Sequence, residues 1–320
     1  MRTWHLKLIH MRYDHKWNLR RRVTADNMKL GLVIEGGGMK CAYSSGILDL
    51  MMDDGILPDY VIGVSAGAAC GASFVAGQRD RNRRFFVDYV GRPDYMGWTA
   101  FRHSGGNFFN LEYIYQDLTG RGGEDELDYD AIMKNPCELW AVATDAETGK
   151  PHYFTKKDLH PNDYSVYMAS CAIPVVCRPV QIDGHLYFDG GCSDSVPVRR
   201  ALEAGCDKVI VILCRPKDTV REPEKHQKLY RTILRRYPRL VHNLDVRHLR
   251  YNAMLQAVKK LEKQGHALII APEHHLDITT YTKDASVLQG LYDTAVKEYA
   301  DYREKLLAFC EDHLATCANK

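Results

Sequence analysis

Short apolar runs punctuate the chain, and each stops at glycine, proline or a polar cluster. Leu30-Gly31-Leu32-Val33-Ile34 ends at Glu35 and three glycines, and Tyr60-Val61-Ile62 runs into Gly63. Leu139 to Ala143, Lys208 to Leu213 and Ala267 to Ala271 repeat the pattern, the last stopped by Pro272. Runs that are apolar on both faces, separated by helical stretches, predict a mostly parallel sheet covered on both sides. The fold class predicted is therefore α/β, a three-layer α/β/α arrangement followed by a mostly helical C-terminal region. Helices are predicted from Met39 to about Met52 and from Gly67 to about Ala76. Residues 222–263 are charged and helical in pattern. A last helix is predicted to start at an Asp284 cap, with Leu288, Leu291, Ala295, Tyr299, Tyr302, Leu306 and Phe309 forming one packed stripe.

Residues 78–135 break this rhythm. They are rich in Arg, Gly and aromatics (Phe85, Phe86, Tyr95, Trp98, Phe101, Phe108, Phe109) and carry little strand pattern. The stretch reads as an insertion over one end of the sheet, expected to be surface helix and loop with a satellite apolar cluster. Its functional alternative is a lid or a wall for an acyl chain. Arg79, Arg81, Arg83 and Arg84 read as a solvated helix face rather than an anion site.

Composition excludes several classes. With 320 residues, 45% hydrophobic and 26% charged, the chain is neither disordered nor fibrous. No apolar run approaches the roughly 18 residues of a membrane span. The net charge of +2 is unevenly placed. Residues 1–28 carry a surplus of Lys and Arg and are expected to be a poorly ordered basic extension. The remainder is mildly acidic, which argues against a nucleic-acid partner. That extension has no apolar stretch of the secretory type, so a cytoplasmic location is expected, and its basic charge leaves room for transient contact with a membrane surface. The 10 cysteines form no CxxC pair and match no zinc spacing, as reduced buried thiols would.

Gly63-Val64-Ser65-Ala66-Gly67 fits Gly-x-Ser-x-Gly between a predicted strand and a predicted helix. That turn projects a serine hydroxyl above the sheet edge, with the helix N-terminus behind it. Gly36-Gly37-Gly38 closes the first strand and opens a helix, so bare amide N–H groups face whatever binds there. One good donor to an oxyanion stabilises it by roughly 3–4 kcal/mol. A dinucleotide site fits these glycines poorly. The stretch Gly36 to Cys41 matches only Gly-x-Gly-x-x, and Asp53 and Asp54 are loose ribose candidates. The base for Ser65 stays open at this point: Asp189, before Gly190-Gly191, reads more readily as a turn residue than as a base, and His242, His266, His274 and His275 follow late enough for a Ser-Asp-His order.

Taken together, these motifs resemble the patatin-like phospholipase family. The matching elements are Glu35 to Cys41, Gly63 to Gly67 and Asp189-Gly190-Gly191, supported by Ala143-Thr144-Asp145 with Gly149-Lys150, Ala169 to Pro174, Pro179, Gly184 and Val196-Pro197. The resemblance covers about residues 29–215, leaving 216–320 as the C-terminal region. It implies a Ser65–Asp189 dyad without histidine, Ser65 as nucleophile and Asp189 as proton acceptor, with Gly36, Gly37 and Gly38 as the oxyanion loop. It also implies a lipid or fatty-acyl ester substrate and no metal or organic cofactor. Cys41 departs from the family, which usually has glycine there, and is expected to affect helix packing more than chemistry. Two other readings stand beside it: a Ser-His-Asp esterase and a non-catalytic acyl-binding protein.

Overall fold

The computed structural model describes residues 28–275 and 278–318. The basic extension expected over residues 1–28 lies, apart from Met28, outside the described residues.

The alternating faces of the strands divide the interior in two. On β1 (Leu30–Ile34), Leu30, Leu32 and Ile34 point into one buried cluster and Val33 into another. On β7 (Lys208–Ile212), Ile210 and Ile212 join the first cluster and Val209 and Val211 the second. Both faces are therefore covered, and the fold has three layers, as predicted. On the first face pack α1 (Cys41–Asp53), α2 (Ala66–Val75), α3 (Ser165–Cys171) and α6 (Ala285–Ala318). On the second pack α4 (Val198–Glu203) and α5 (Pro238–Lys263).

The sheet has eight strands. Its main path runs β5 (Val180–Ile182), β6 (His185–Asp189), β3 (Glu138–Asp145), β2 (Tyr60–Val64), β1, β7 and β8 (Ala267–Ile270), with β4 (Pro151–Thr155) paired to β3 off that path. The five strands β3, β2, β1, β7 and β8 are mutually parallel. β4 and β6 run antiparallel to β3.

The register at β3 positions the site. β2 pairs with Glu138 to Val142, while β6 pairs with Ala143 to Asp145. Because β4 occupies the opposite edge along Trp140 to Thr144, β2 and β6 must share one edge. Their C-terminal ends therefore abut, Val64 opposite Val142 and Asp189 opposite Ala143.

Two expectations for residues 78–135 are corrected. Phe85, Phe86, Tyr95, Phe109, Leu111 and Ile114 belong to the same cluster as β1 and α1, so the apolar part is no satellite. Nor are the arginines one solvated face. Arg79 pairs with Asp53 and Arg83 with Asp80 and Asp88, but Arg81 is buried. Its guanidinium donates to Ser73 Oγ, Thr119 Oγ1 and the Asp125 carbonyl, and lies over the Phe85 ring. Asp125 is shared with Arg84 at 2.6 Å. These partners make burial of that charge tolerable.

The last helix begins as predicted, with Asp284 Oδ1 accepting from the Ser286 and Val287 amides. No helix of the described residues is long and apolar enough to cross a membrane. Every cysteine whose side chain is described is free and buried.

Candidate active site

Ser65 follows β2 directly and caps α2, with φ 54° and ψ −134°. A positive φ is costly for a residue bearing a Cβ and persists only where the surroundings impose it. Here they do. A Cβ on Gly63 would run into the Gly67 carbonyl oxygen, and one on Gly67 would lie 2.6 Å from the Glu35 carbonyl oxygen. Both flanking glycines are needed because the turn packs backbone on backbone. The Ser65 amide donates to Ser170 Oγ at 2.8 Å, and that hydroxyl donates onward to the Val142 carbonyl at 2.7 Å. Ser170 thus ties the turn to the middle of β3.

Asp189 ends β6 beside it. Its amide donates to the Ala172 carbonyl at 2.9 Å, and its own carbonyl accepts from Thr144 Oγ1 at 2.8 Å. The carboxylate accepts from the Gly191 amide at 2.7 Å. Burial pushes its pKa above the usual carboxylate range, opposed by a hydrogen bond from Ser65 and by the charge of Arg247. Ser65 and Asp189 are 5% exposed each, enough to meet a ligand while largely shielded from bulk water.

The three glycines of the β1 loop approach Ser65 from the other side. A Cβ on Gly36 would sit 2.6 Å from the Val64 carbonyl oxygen and 2.9 Å from Ser65 Cβ. Among the described residues, the amides of Gly36, Gly37 and Gly38 have no protein acceptor. The loop is anchored by Glu35, which is fully buried, accepts from the Cys214 amide at 2.9 Å and pairs with Arg215 at 2.8 Å. Cys41 lies behind the loop, its thiol donating to the Glu35 carbonyl at 3.5 Å.

Two hollows meet at Ser65. One is apolar, walled by Phe85, Phe86, Phe109, Leu111, Ile114 and Ile173. The other, about 370 Å³, reaches from Gly36–Gly38 and Asp189 to Arg215, Arg221, Glu224 and Arg247. His242 lines a separate cavity with Asp194 and Arg250. His266 bonds the Asp207 carbonyl before β8, at the sheet end away from Ser65. His274 and His275 are exposed. The histidine that does line a Ser65 hollow is His226, which no sequence pattern marks. Sequence reasoning also missed the Glu35–Arg215 pair and Arg247. A carboxylate immediately before three glycines was the available signal for the first; Arg247 had none. Among the described residues, no group of three or more His, Cys, Asp or Glu side chains is arranged to hold a metal ion.

A three-layer α/β/α fold with a serine on a strained strand-to-helix turn defines a class of protein rather than one reaction. The comparisons narrow the class. The family model described as patatin-like phospholipase matches residues 32–202, and a second, a domain of unknown function (DUF6363), matches residues 237–311. The chain belongs to the patatin-like phospholipase family. It is similar to the uncharacterized protein YjjU of Escherichia coli (strain K12), 29% identical over 208 residues, covering 63% of this chain and 57% of that one. An uncharacterized NTE family protein of Mycobacterium bovis is 26% identical over 58% of this chain and 48% of its own. The patatin-like phospholipase domain-containing protein 7 of Mus musculus is 26% identical over 57% of this chain and 13% of its own. The chain thus spans little more than half of YjjU and less of the other two. Among solved structures, VipD from Legionella pneumophila is similar with a TM-score of 0.40 at 15% identity, over 85% of this chain and 66% of that one.

Proposed function

We propose that this protein hydrolyses acyl esters of lipids, with Ser65 as nucleophile and Asp189 as its base. The observation that carries the reading is the placement of Ser65 and Asp189 at two abutting strand ends, beside amides that lack protein acceptors among the described residues. Ser65 Oγ attacks the ester carbonyl carbon as its proton passes to Asp189. The amides of the Gly36–Gly38 loop hold the oxyanion, assisted by the α2 N-terminus. Collapse breaks the ester C–O bond, and Asp189 returns the proton to the leaving alcohol. Water then attacks the acyl-enzyme, giving its proton to Asp189, and the fatty acid leaves with Ser65 restored. A carboxylate raised above its usual range is a better proton acceptor than an ordinary aspartate. The apolar hollow suits the acyl chain.

In this reading residues 29–215 are the hydrolase portion, with 78–135 supplying the acyl wall, and 216–320 are appended to it. The location is cytoplasmic, with transient membrane contact favoured by the exposed aromatics Trp98 and Phe101. The test is turnover of p-nitrophenyl esters, short to long chain, by wild type, Ser65→Ala, Asp189→Asn and histidine-to-alanine variants at 242, 266, 274 and 275. Loss in the first two variants with retention in all four histidine variants is expected. An essential histidine would refute the dyad, and wild type inert on every chain length would favour an acyl-binding role.

A further inference from the structure

A separate cavity of about 530 Å³ lies between the β3–β4 turn, α4 and α5, and shares no lining residue with the two hollows at Ser65. Its walls are held in place by short contacts. Gly149, with φ 66°, lets α5 approach so closely that an added Cβ would lie 2.9 Å from Arg239 Cβ. The buried Asn243 donates to the Gly149 carbonyl at 2.5 Å and accepts from Arg250 at 2.8 Å. Lys150, Arg199, Arg200, Arg239 and Arg250 line the cavity, against the carboxylates of Asp194 and Glu203. Both carboxylates are already engaged. Asp194 accepts from the Tyr153 hydroxyl at 2.9 Å, and Glu203 accepts from Arg199 at 2.7 Å. Arg200 reaches Glu203 only at 3.9 Å, and its buried Nε has no hydrogen-bond partner among the described residues. Its guanidinium is fixed over the Trp140 and Tyr153 rings, 4.7 and 5.1 Å from their centres. Among the described residues, the Lys150 and Arg239 side chains have no ion-pair partner. Arg239 also stands in the first turn of α5, whose N-terminal end adds positive potential.

We infer that this cavity binds the diphosphate group of a soluble molecule, held by Lys150, Arg200 and Arg239. The inference goes beyond the hydrolase reading, and no step at Ser65 enters it. Three unmatched cations from three different elements converge on one concave space, which concentrates an anion there. A single phosphate carries about two negative charges, whereas a diphosphate carries about three and spreads its oxygens widely enough to meet all three side chains. The two arginine forks suit phosphate oxygens, and Lys150 adds a point charge at the rim. Among the described residues, the apolar lining is limited to Pro151, Tyr153 and Met254. That is too little to shelter an acyl chain, so the ligand is a soluble molecule rather than a lipid.

The experiment is calorimetric titration of the full chain with inorganic pyrophosphate, and with sulfate, in metal-free buffer at fixed ionic strength. Wild type is expected to bind one pyrophosphate per chain, at least about tenfold more tightly than sulfate. Lys150→Gln and Arg239→Gln alter exposed side chains, so they leave the fold intact, and each should weaken binding about tenfold, the effect of one charge-assisted hydrogen bond. Arg200→Gln should do the same, and Arg200→Lys, which keeps the charge but loses the fork, should fall between. Arg221→Gln, its fold checked by circular dichroism, should bind like wild type. Equal affinity for pyrophosphate and sulfate, or binding unmoved by the changes at 150, 200 and 239, overturns the site. Binding lost in a folded Arg221→Gln variant places the anion in the hollow beside Asp189 and overturns it as well. Phosphatidylglycerol vesicles that capture the chain through Arg239, with no binding of pyrophosphate, assign these cations to a lipid surface and overturn the soluble ligand.

Discussion

The two hollows at Ser65 are built in different ways. The apolar one draws its walls from residues between Gly38 and Ile173, all inside the stretch matched by the patatin-like family. The charged one takes Arg215 from beyond β7, Arg221 and Glu224 from the loop after it, and Arg247 from α5, all past residue 202. Arg247 belongs to the stretch matched by the domain of unknown function. The lesson is a division of labour in the lining: the family core supplies the Ser65 turn and the apolar wall, and the C-terminal region supplies the charged wall of the second hollow. Sheet order makes this possible, because β7 lies next to β1 and α5 packs behind both.

The sharpest way to break the comparison concerns the one arginine in the apolar wall. Arg81 lines that hollow, yet its donors are spent on Ser73, Thr119 and Asp125. Arg81→Leu should cost about 3 kcal/mol or more, because it removes one partner of a buried ion pair. Urea unfolding measures this. An unchanged midpoint would mean that Arg81 is no structural clamp and that the wall is less apolar in function than in form.

Ser170 sharpens the contrast from the Ser65 side, since it braces the Ser65 turn for both hollows. Ser170→Ala leaves a buried amide and a buried carbonyl without their shared partner, and should cost about 1–3 kcal/mol of stability. It should also lower kcat more than it raises KM, because both hollows remain while the hydroxyl loses its placement. A pure KM effect would contradict the bracing role.

The apolar wall alone is addressed by Ala69→Phe, which fills part of the apolar hollow from α2. Long-chain p-nitrophenyl esters should lose about tenfold in kcat/KM relative to the butyrate. An even loss across chain lengths would place the acyl chain elsewhere.

The smallest expected effect joins the two hollows electrostatically. As the proposed base, Asp189 must be ionised to take the Ser65 proton, so kcat/KM should rise with pH through its titration, above the range of an ordinary aspartate. Arg247 favours the ionised form. Removing its charge in Arg247→Gln should therefore move the acid limb to higher pH, measured on p-nitrophenyl butyrate. A limb that stays in place would separate Arg247 from the dyad.

Legibility in the sequence follows burial. β1, β2, β3, β7 and β8 could be read from the chain because parallel strands covered on both faces are nearly all apolar. β4 could not, since it starts at Pro151, lies on a sheet edge and leaves its first two residues exposed. The Gly36–Gly38 loop and the Ser65 turn are local motifs, and their glycines betray close backbone contacts. The proximity of Asp189 to Ser65 depends on an antiparallel strand filling the edge of β3 beyond the end of β2. No periodicity encodes that, so only resemblance to a family could supply it. Arg81 was misread because a run of arginines looks alike from outside, whichever one turns inward. Arg221 and Arg247 are far apart in the chain and become neighbours only after α5 docks.

The most direct test of the central claim is covalent. Wild type, Ser65→Ala and Asp189→Asn would be treated with a fluorophosphonate, an acyl-ester mimic that traps activated serines, and the modified peptide identified by mass. The account predicts stoichiometric labelling of Ser65 in wild type, none in Ser65→Ala and strongly slowed labelling in Asp189→Asn. Labelling of another serine at the wild-type rate, or full-speed labelling of Ser65 without Asp189, would contradict it.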